Sequence, residues 1–220
     1  MPKTKTSDTK TRALRIRDAL FRIYPKATCA LKHQGAFELT VATILSAQCT
    51  DERVNMVTPG LFKKYRSVRA FAEADAADLE NDIRSTGFFR NKARSIQGFA
   101  RAILEQHGGE VPRDLDALVK LPGIGRKTAN VILGTAFALA TSVVVDTHVQ
   151  RLSQRMGLSS EESPEKIEQD LMKLVPQEDW ILFGHAMIWH GRQICIARKP
   201  KCSECPLAAD CPKIGVTNST

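Results

Sequence analysis

Apolar residues recur every three or four positions through most of the chain, the spacing of one face of an α-helix. In 12–24, Ala13, Ile16, Leu20 and Ile23 share a face and Pro25 ends the run. Phe37, Val41, Ile44 and Leu45 repeat the pattern in 37–48, and Ala93, Ile96, Ala100 and Ile103 repeat it in 91–109 before Gly108-Gly109. Asp75 before 76–84, Asp114 before 115–120 and Ser163-Pro164 before 165–176 mark helix starts. Further helices are expected over 126–138 and 180–195. SVVVDTH (142–148) departs from this: it is β-branched, reads as extended, and returns to helix near Thr147. The pattern predicts an all-α fold, with Trp180, His185 and Trp189 in its core.

Two helices flank a corner in LPGIGRKTAN (121–130). Gly123 and Gly125 allow positive φ and close approach of a ligand. The amides of the corner and of the next first turn have no helical partners, so together they suit a phosphate oxygen. Arg126 and Lys127 follow, at the helix end whose partial positive charge disfavours cations. A bound polyanion would offset that repulsion.

Charge points the same way. Lys and Arg number 32 against 24 Asp and Glu, a formal net charge of +8 that suits a polyanionic partner. Residues 84–101 hold Arg84, Arg90, Lys92, Arg94 and Arg101 with no acid among them, and Phe88-Phe89 inside. Cations beside aromatic rings suit a wedge into a kinked duplex. The acids of 73–82 are expected to face away from it. The first dozen residues, MPKTKTSDTKTR, lack the apolar stretch of a secretory signal and read as a mobile tail. The longest apolar run, VILGTAFALA, is about half of what a membrane span needs, so a cytoplasmic location is expected.

Of six cysteines, Cys195, Cys202, Cys205 and Cys211 stand close together, while Cys29 and Cys49 are isolated. Without an export signal, four neighbouring thiols read as metal ligands before disulfides. Their spacing leaves zinc and an iron–sulfur cluster both open.

LPGIGRKTAN resembles the helix–hairpin–helix motif of the DNA glycosylase superfamily, where hairpin amides hold DNA phosphate. The cysteine spacing resembles the [4Fe–4S] loop of the endonuclease III family. VDTHVQRLSQRMGL (145–158) is similar to the family segment that bears a catalytic Asp, and LSAQCTD (45–51) to one whose Gln enters DNA. STGFFRNKA matches a loop with an apolar wedge, commonly Leu, where Phe88 stands here. The likeness spans 12–212.

It implies a two-lobed all-α protein: a tail and helix (1–28) belonging with a cluster lobe (141–220), and a barrel-like lobe (29–140) bearing the hairpin. It implies a bifunctional DNA glycosylase and abasic-site (AP) lyase acting on oxidised pyrimidines. Lys127 would be the nucleophile, through a Schiff base, with Asp146 assisting. Gln48, Phe88, Arg90, Gly123, Ile124, Gly125, Arg126 and His148 would contact DNA. Cys195, Cys202, Cys205 and Cys211 would ligate a [4Fe–4S] cluster.

The implied partner is double-stranded DNA with damaged pyrimidines or abasic sites, and the implied setting a monomer at a bacterial nucleoid. A lysine's ordinary pKa near ~10.4 leaves little free amine, so Arg126, the helix end and burial are expected to activate Lys127. The resembling adenine-mismatch glycosylases lack a Lys there, which separates this chain from the monofunctional branch. The remaining alternative is a non-catalytic DNA-binding redox sensor.

Overall fold

The computed structural model describes residues 4–220, with side chains from Asp8 onward. Met1–Lys3, part of the expected tail, lie outside the described residues. The α-helices are α1 (Thr4–Ile23), α2 (Gly35–Ser46), α3 (Asp51–Lys64), α4 (Val68–Ala72), α5 (Ala76–Asp82) and α6 (Phe89–His107). They continue as α7 (Leu115–Leu118), α8 (Arg126–Phe137), α9 (Thr147–Arg155), α10 (Pro164–Leu174) and α11 (Trp180–Gln193). Single 3-10 turns form at Arg84–Thr86 and Gln177–Asp179, and no strand occurs among the described residues. The fold is all-α. Among the described residues no helix is long and apolar enough to cross a membrane. The chain divides into two compact units, Cys29–Leu139 and Met1–Thr28 with Ala140–Thr220.

In the discontinuous unit, fully buried residues from four helices form one core: Ile16 and Leu20, Val149 and Leu152, Ile167 and Leu171, Phe183 and Met187. Each such side chain contributes roughly 1.5–3 kcal/mol by leaving water. The polar stretch 4–12 is helical rather than a loose tail. Tertiary bonds account for the stability of α1: Arg12 donates to the Gly157 carbonyl at 2.8 Å, and Arg17 meets Asp179 at 2.7 Å. Trp180 is buried, but His185 and Trp189 are only partly so; the histidine at the centre of this core is His190.

In the continuous unit, the rings of Phe37, Phe71 and Phe99 pack at 5.3 and 5.7 Å between centroids. α6 buries Ala93, Ile96, Phe99, Ala100 and Ile103. α3 forms despite Pro59, a residue that ordinarily interrupts a helix. One acid of 73–82 meets the basic stretch, Glu80 standing 3.8 Å from Arg90, while Asp82 pairs with Lys64 of α3 at 2.7 Å.

Candidate nucleic-acid interface and metal site

The corner before α8 is built by packing. Gly123 takes φ +77°, and a Cβ there would lie 2.7 Å from Ser95 Cβ on α6. Ile124 is 5% exposed, packs among the apolar residues of α6, α7 and α8, and donates its N–H to the Leu121 carbonyl at 3.2 Å. Ile124 thus anchors the corner through its side chain. Gly125 is the N-cap of α8, with φ −87° and no side-chain cap, so no N-cap side chain takes the first-turn donors. Arg126 and Lys127, the first two residues of α8, are exposed.

Two further residues are exposed in the same unit. Gln48 has φ 52° and follows the end of α2, while Phe88 has φ 47° and begins α6 at 63% exposure. Left-handed backbone at non-glycine residues is strained and concentrates at functional sites. The guanidiniums of Arg84 and Arg90 lie 5.8 and 5.6 Å from the Phe89 ring centroid, so the half-buried Phe89 is a shelf for two cations beside Phe88. Two members of the basic stretch have other employment. Lys92 is 5% exposed and turned inward, and Arg101 donates to the Ala72 carbonyl at 3.0 Å.

In the discontinuous unit, Asp146 is half-buried and caps α9. Its Oδ1 accepts the His148 and Val149 amides, both at 2.8 Å, which leaves the second carboxylate oxygen outside the cap. Arg151, one turn along, lies 3.2 Å from His148 Nδ1 and donates to the Gly191 and Cys195 carbonyls at 2.9 and 3.0 Å. Burial lowers the pKa of His148 below the ordinary 6.5; Asp146 opposes this, and Arg151 and Arg192 add to it. His185 is lowered in the same way, again against the pull of Asp146. Gly191 makes room for this packing, since a Cβ there would lie 3.0 Å from His148 Cβ.

Cys195, Cys202, Cys205 and Cys211 line one pocket with Arg155 and His190, and none is in a disulfide. Burial raises the Cys205 and Cys211 thiols, and the neighbouring thiols raise them further. Such a set favours its thiolate form only against positive charge, which fits an iron centre. Among the described residues no three His, Cys, Asp or Glu converge as a single ion requires. Arg155 supports the wall, donating toward Cys195 Sγ at 3.5 Å and to the Ile196 carbonyl at 2.8 Å.

Comparison with known proteins decides the family. Residues 41–177 match the model for HhH-GPD superfamily base excision DNA repair proteins, and 195–211 match the iron–sulfur binding domain of endonuclease III. Endonuclease III of Synechocystis is 55% identical over 208 residues, covering 94% of this chain and 95% of its own. The chain belongs to the endonuclease III family. It is a base excision repair DNA glycosylase with AP lyase activity, and its cysteine loop is a [4Fe–4S]-binding loop.

Two endonuclease III structures, a non-covalent DNA complex and a trapped covalent DNA intermediate, each superpose with TM-score 0.88 at 45% identity. Each covers 93% of this chain, and the chain covers 95% and 96% of them respectively. Beyond the residues expected from sequence, the structure adds Ser95, Arg151 and Gly191. Only Arg151 left a signal, three positions after His148 on one helix face.

Proposed function

We propose that this endonuclease III homologue excises oxidised pyrimidines from double-stranded DNA and then cuts the strand, with Lys127 as nucleophile. The lesion nucleotide leaves the stack, and Gln48 and Phe88 enter the space it vacates. The corner at Gly123 and Gly125, with Arg126 and Arg90, holds backbone phosphate, and His148 contacts another. The Lys127 amine bonds to the anomeric carbon, and the carbon–base bond breaks. Ring opening gives an imine. Loss of a sugar proton from the adjacent carbon then expels the 3′ phosphate by β-elimination.

Lys127 is exposed in the free chain, so the burial expected to activate it is not built into the chain itself. Asp146 offers the carboxylate oxygen its cap leaves over to stabilise positive charge on the sugar. The unit comprising 1–28 and 140–220 is the cluster lobe, and 29–139 the barrel-like lobe. When bound, the cluster ties the cysteine loop together; base removal is the work of the side chains. The protein acts as a monomer on nucleoid DNA.

The observation that carries this reading is an exposed lysine in the first turn of a helix without a side-chain cap, directly after a two-glycine corner. The trapped DNA adduct of the related endonuclease III supports it. Borohydride reduces an imine to a stable amine, so wild type should cross-link to lesion-bearing DNA. Lys127→Gln should bind the same duplex yet neither cross-link nor cleave. Cross-linking by that variant would assign the nucleophile to another amine.

A further inference from the structure

Lys92 was expected among the DNA-facing cations, but the structure turns it into the protein. Its side chain is 5% exposed, and among the described residues no carboxylate pairs with it. Nζ donates instead to two main-chain carbonyls, Leu45 at 2.8 Å and Thr86 at 2.7 Å. Burial lowers its pKa, with the thiol of Cys49 acting against the shift. A buried amine with two carbonyl partners and no counter-ion is costly to keep, so its location calls for an explanation.

Both carbonyls stand shortly before a residue that enters DNA in the proposed reaction. Leu45 lies in the last turn of α2, whose carbonyls lack helical partners and whose dipole favours a cation. Three residues later comes Gln48, exposed and left-handed. Thr86 closes the 3-10 turn, and its hydroxyl is tied to the Ile83 carbonyl at 2.8 Å. Two residues later, after Gly87 at φ 71°, comes Phe88, exposed and left-handed. The two segments are 41 positions apart in sequence, counted from 45 to 86, and one ammonium bridges them.

We infer that Lys92 is a positioning residue for lesion recognition: it fixes the spacing between the Gln48 and Phe88 loops, so that both enter the duplex together, and it does not touch DNA. The inference rests on the proposed wedge roles of those two residues. An apolar side chain at this position would leave two buried carbonyls without donors and free the loops to move apart. Lys92 lies on the same helix face as Ile96 and Phe99, so the core locates the amine and the amine locates the wedges.

The test uses Lys92→Met, which preserves length. Two-aminopurine placed opposite an abasic site reports unstacking by its emission. Wild type should raise that emission and cleave the duplex. Lys92→Met should melt as a folded protein and cross-link with borohydride to a single-stranded abasic oligonucleotide, which has no stack to open. It should fail to raise the emission and should cleave duplex lesions roughly 100-fold more slowly.

Adding Lys92→Met to Gln48→Ala/Phe88→Ala should cost nothing further, because the wedges it positions are gone. A merely structural role would give additive losses. Native emission and cleavage by Lys92→Met would overturn the inference, as would an additive triple variant. If Lys92→Met does not fold, Lys92→Gln carries the same measurements. Failure of both to fold would make Lys92 a stability element and nothing more. Failure of the parent reading looks different: wild type would then give no cross-link, or would cleave without any rise in emission.

Discussion

Asp146 accepts two backbone amides on one oxygen, and that geometry separates its structural and chemical parts. Asparagine caps helices about as well as aspartate. Asp146→Asn should therefore keep the melting temperature and duplex affinity while losing glycosylase rate, because the negative charge is gone. Normal turnover in single-turnover assays would reduce Asp146 to a cap.

His148 and His185 allow a pH prediction. Burial depresses both folded pKa values below the ordinary 6.5, so each contributes stability in full above that value and loses it as pH falls. The melting temperature should drop between about pH 7 and about pH 5, and His148→Gln should flatten part of the drop. A wild-type curve level across that window would contradict the neutral assignment. Sequence placed Asp146 and His148 correctly at a helix start. It missed Arg151 and Gly191 as their supports, because those contacts cross from α9 to α11 and no local pattern encodes them.

The corner before α8 carries two glycines with different jobs. Gly123 has both positive φ and a neighbour in the way, since an added methyl would lie 2.7 Å from Ser95 Cβ. Gly125 has φ −87° and nothing within 4 Å of the place a Cβ would take. Gly123→Ala should cost about 1–3 kcal/mol in thermal or denaturant unfolding. Gly125→Ala should unfold like wild type yet bind duplex DNA more weakly, since its methyl occupies the approach of a phosphate. Equal stability losses for the two would show that both are packing residues.

Helices with strong apolar periodicity, such as α2, α6 and α8, were legible to within a few residues. α3 was not, because Pro59-Gly60 reads as a stop while burial of Val54 and Leu61 holds the helix through it. The start of α1 was not either, since Arg12 is held by the Gly157 carbonyl, far along the chain.

A net charge of +8 says that the molecule suits a polyanion, but not which cations meet it. The structure sorts them. Lys92 is buried under two carbonyls, Arg101 is bonded to Ala72, and Arg12, Arg15 and Arg17 hold α1 to its own unit. Arg84, Arg90, Arg94 and Arg126 remain exposed, with Arg198, Lys199 and Lys201 in the cysteine loop. Sequence could not make this division, because a lysine on the core face of a helix and one on the solvent face contribute equally to any count of charge.

If the exposed set neutralises about five phosphates, log K should fall with log salt at a slope of about −4.5. Each contact removed should lessen the slope by about 0.9, so Arg126→Ala should shift it by that amount, whereas Lys92→Met should leave it unchanged on undamaged duplex. Measuring K from low to moderate salt for the three proteins checks both statements. A slope near zero for wild type would mean that these cations do not reach phosphate, and a shallower slope for Lys92→Met would place its ammonium on DNA after all.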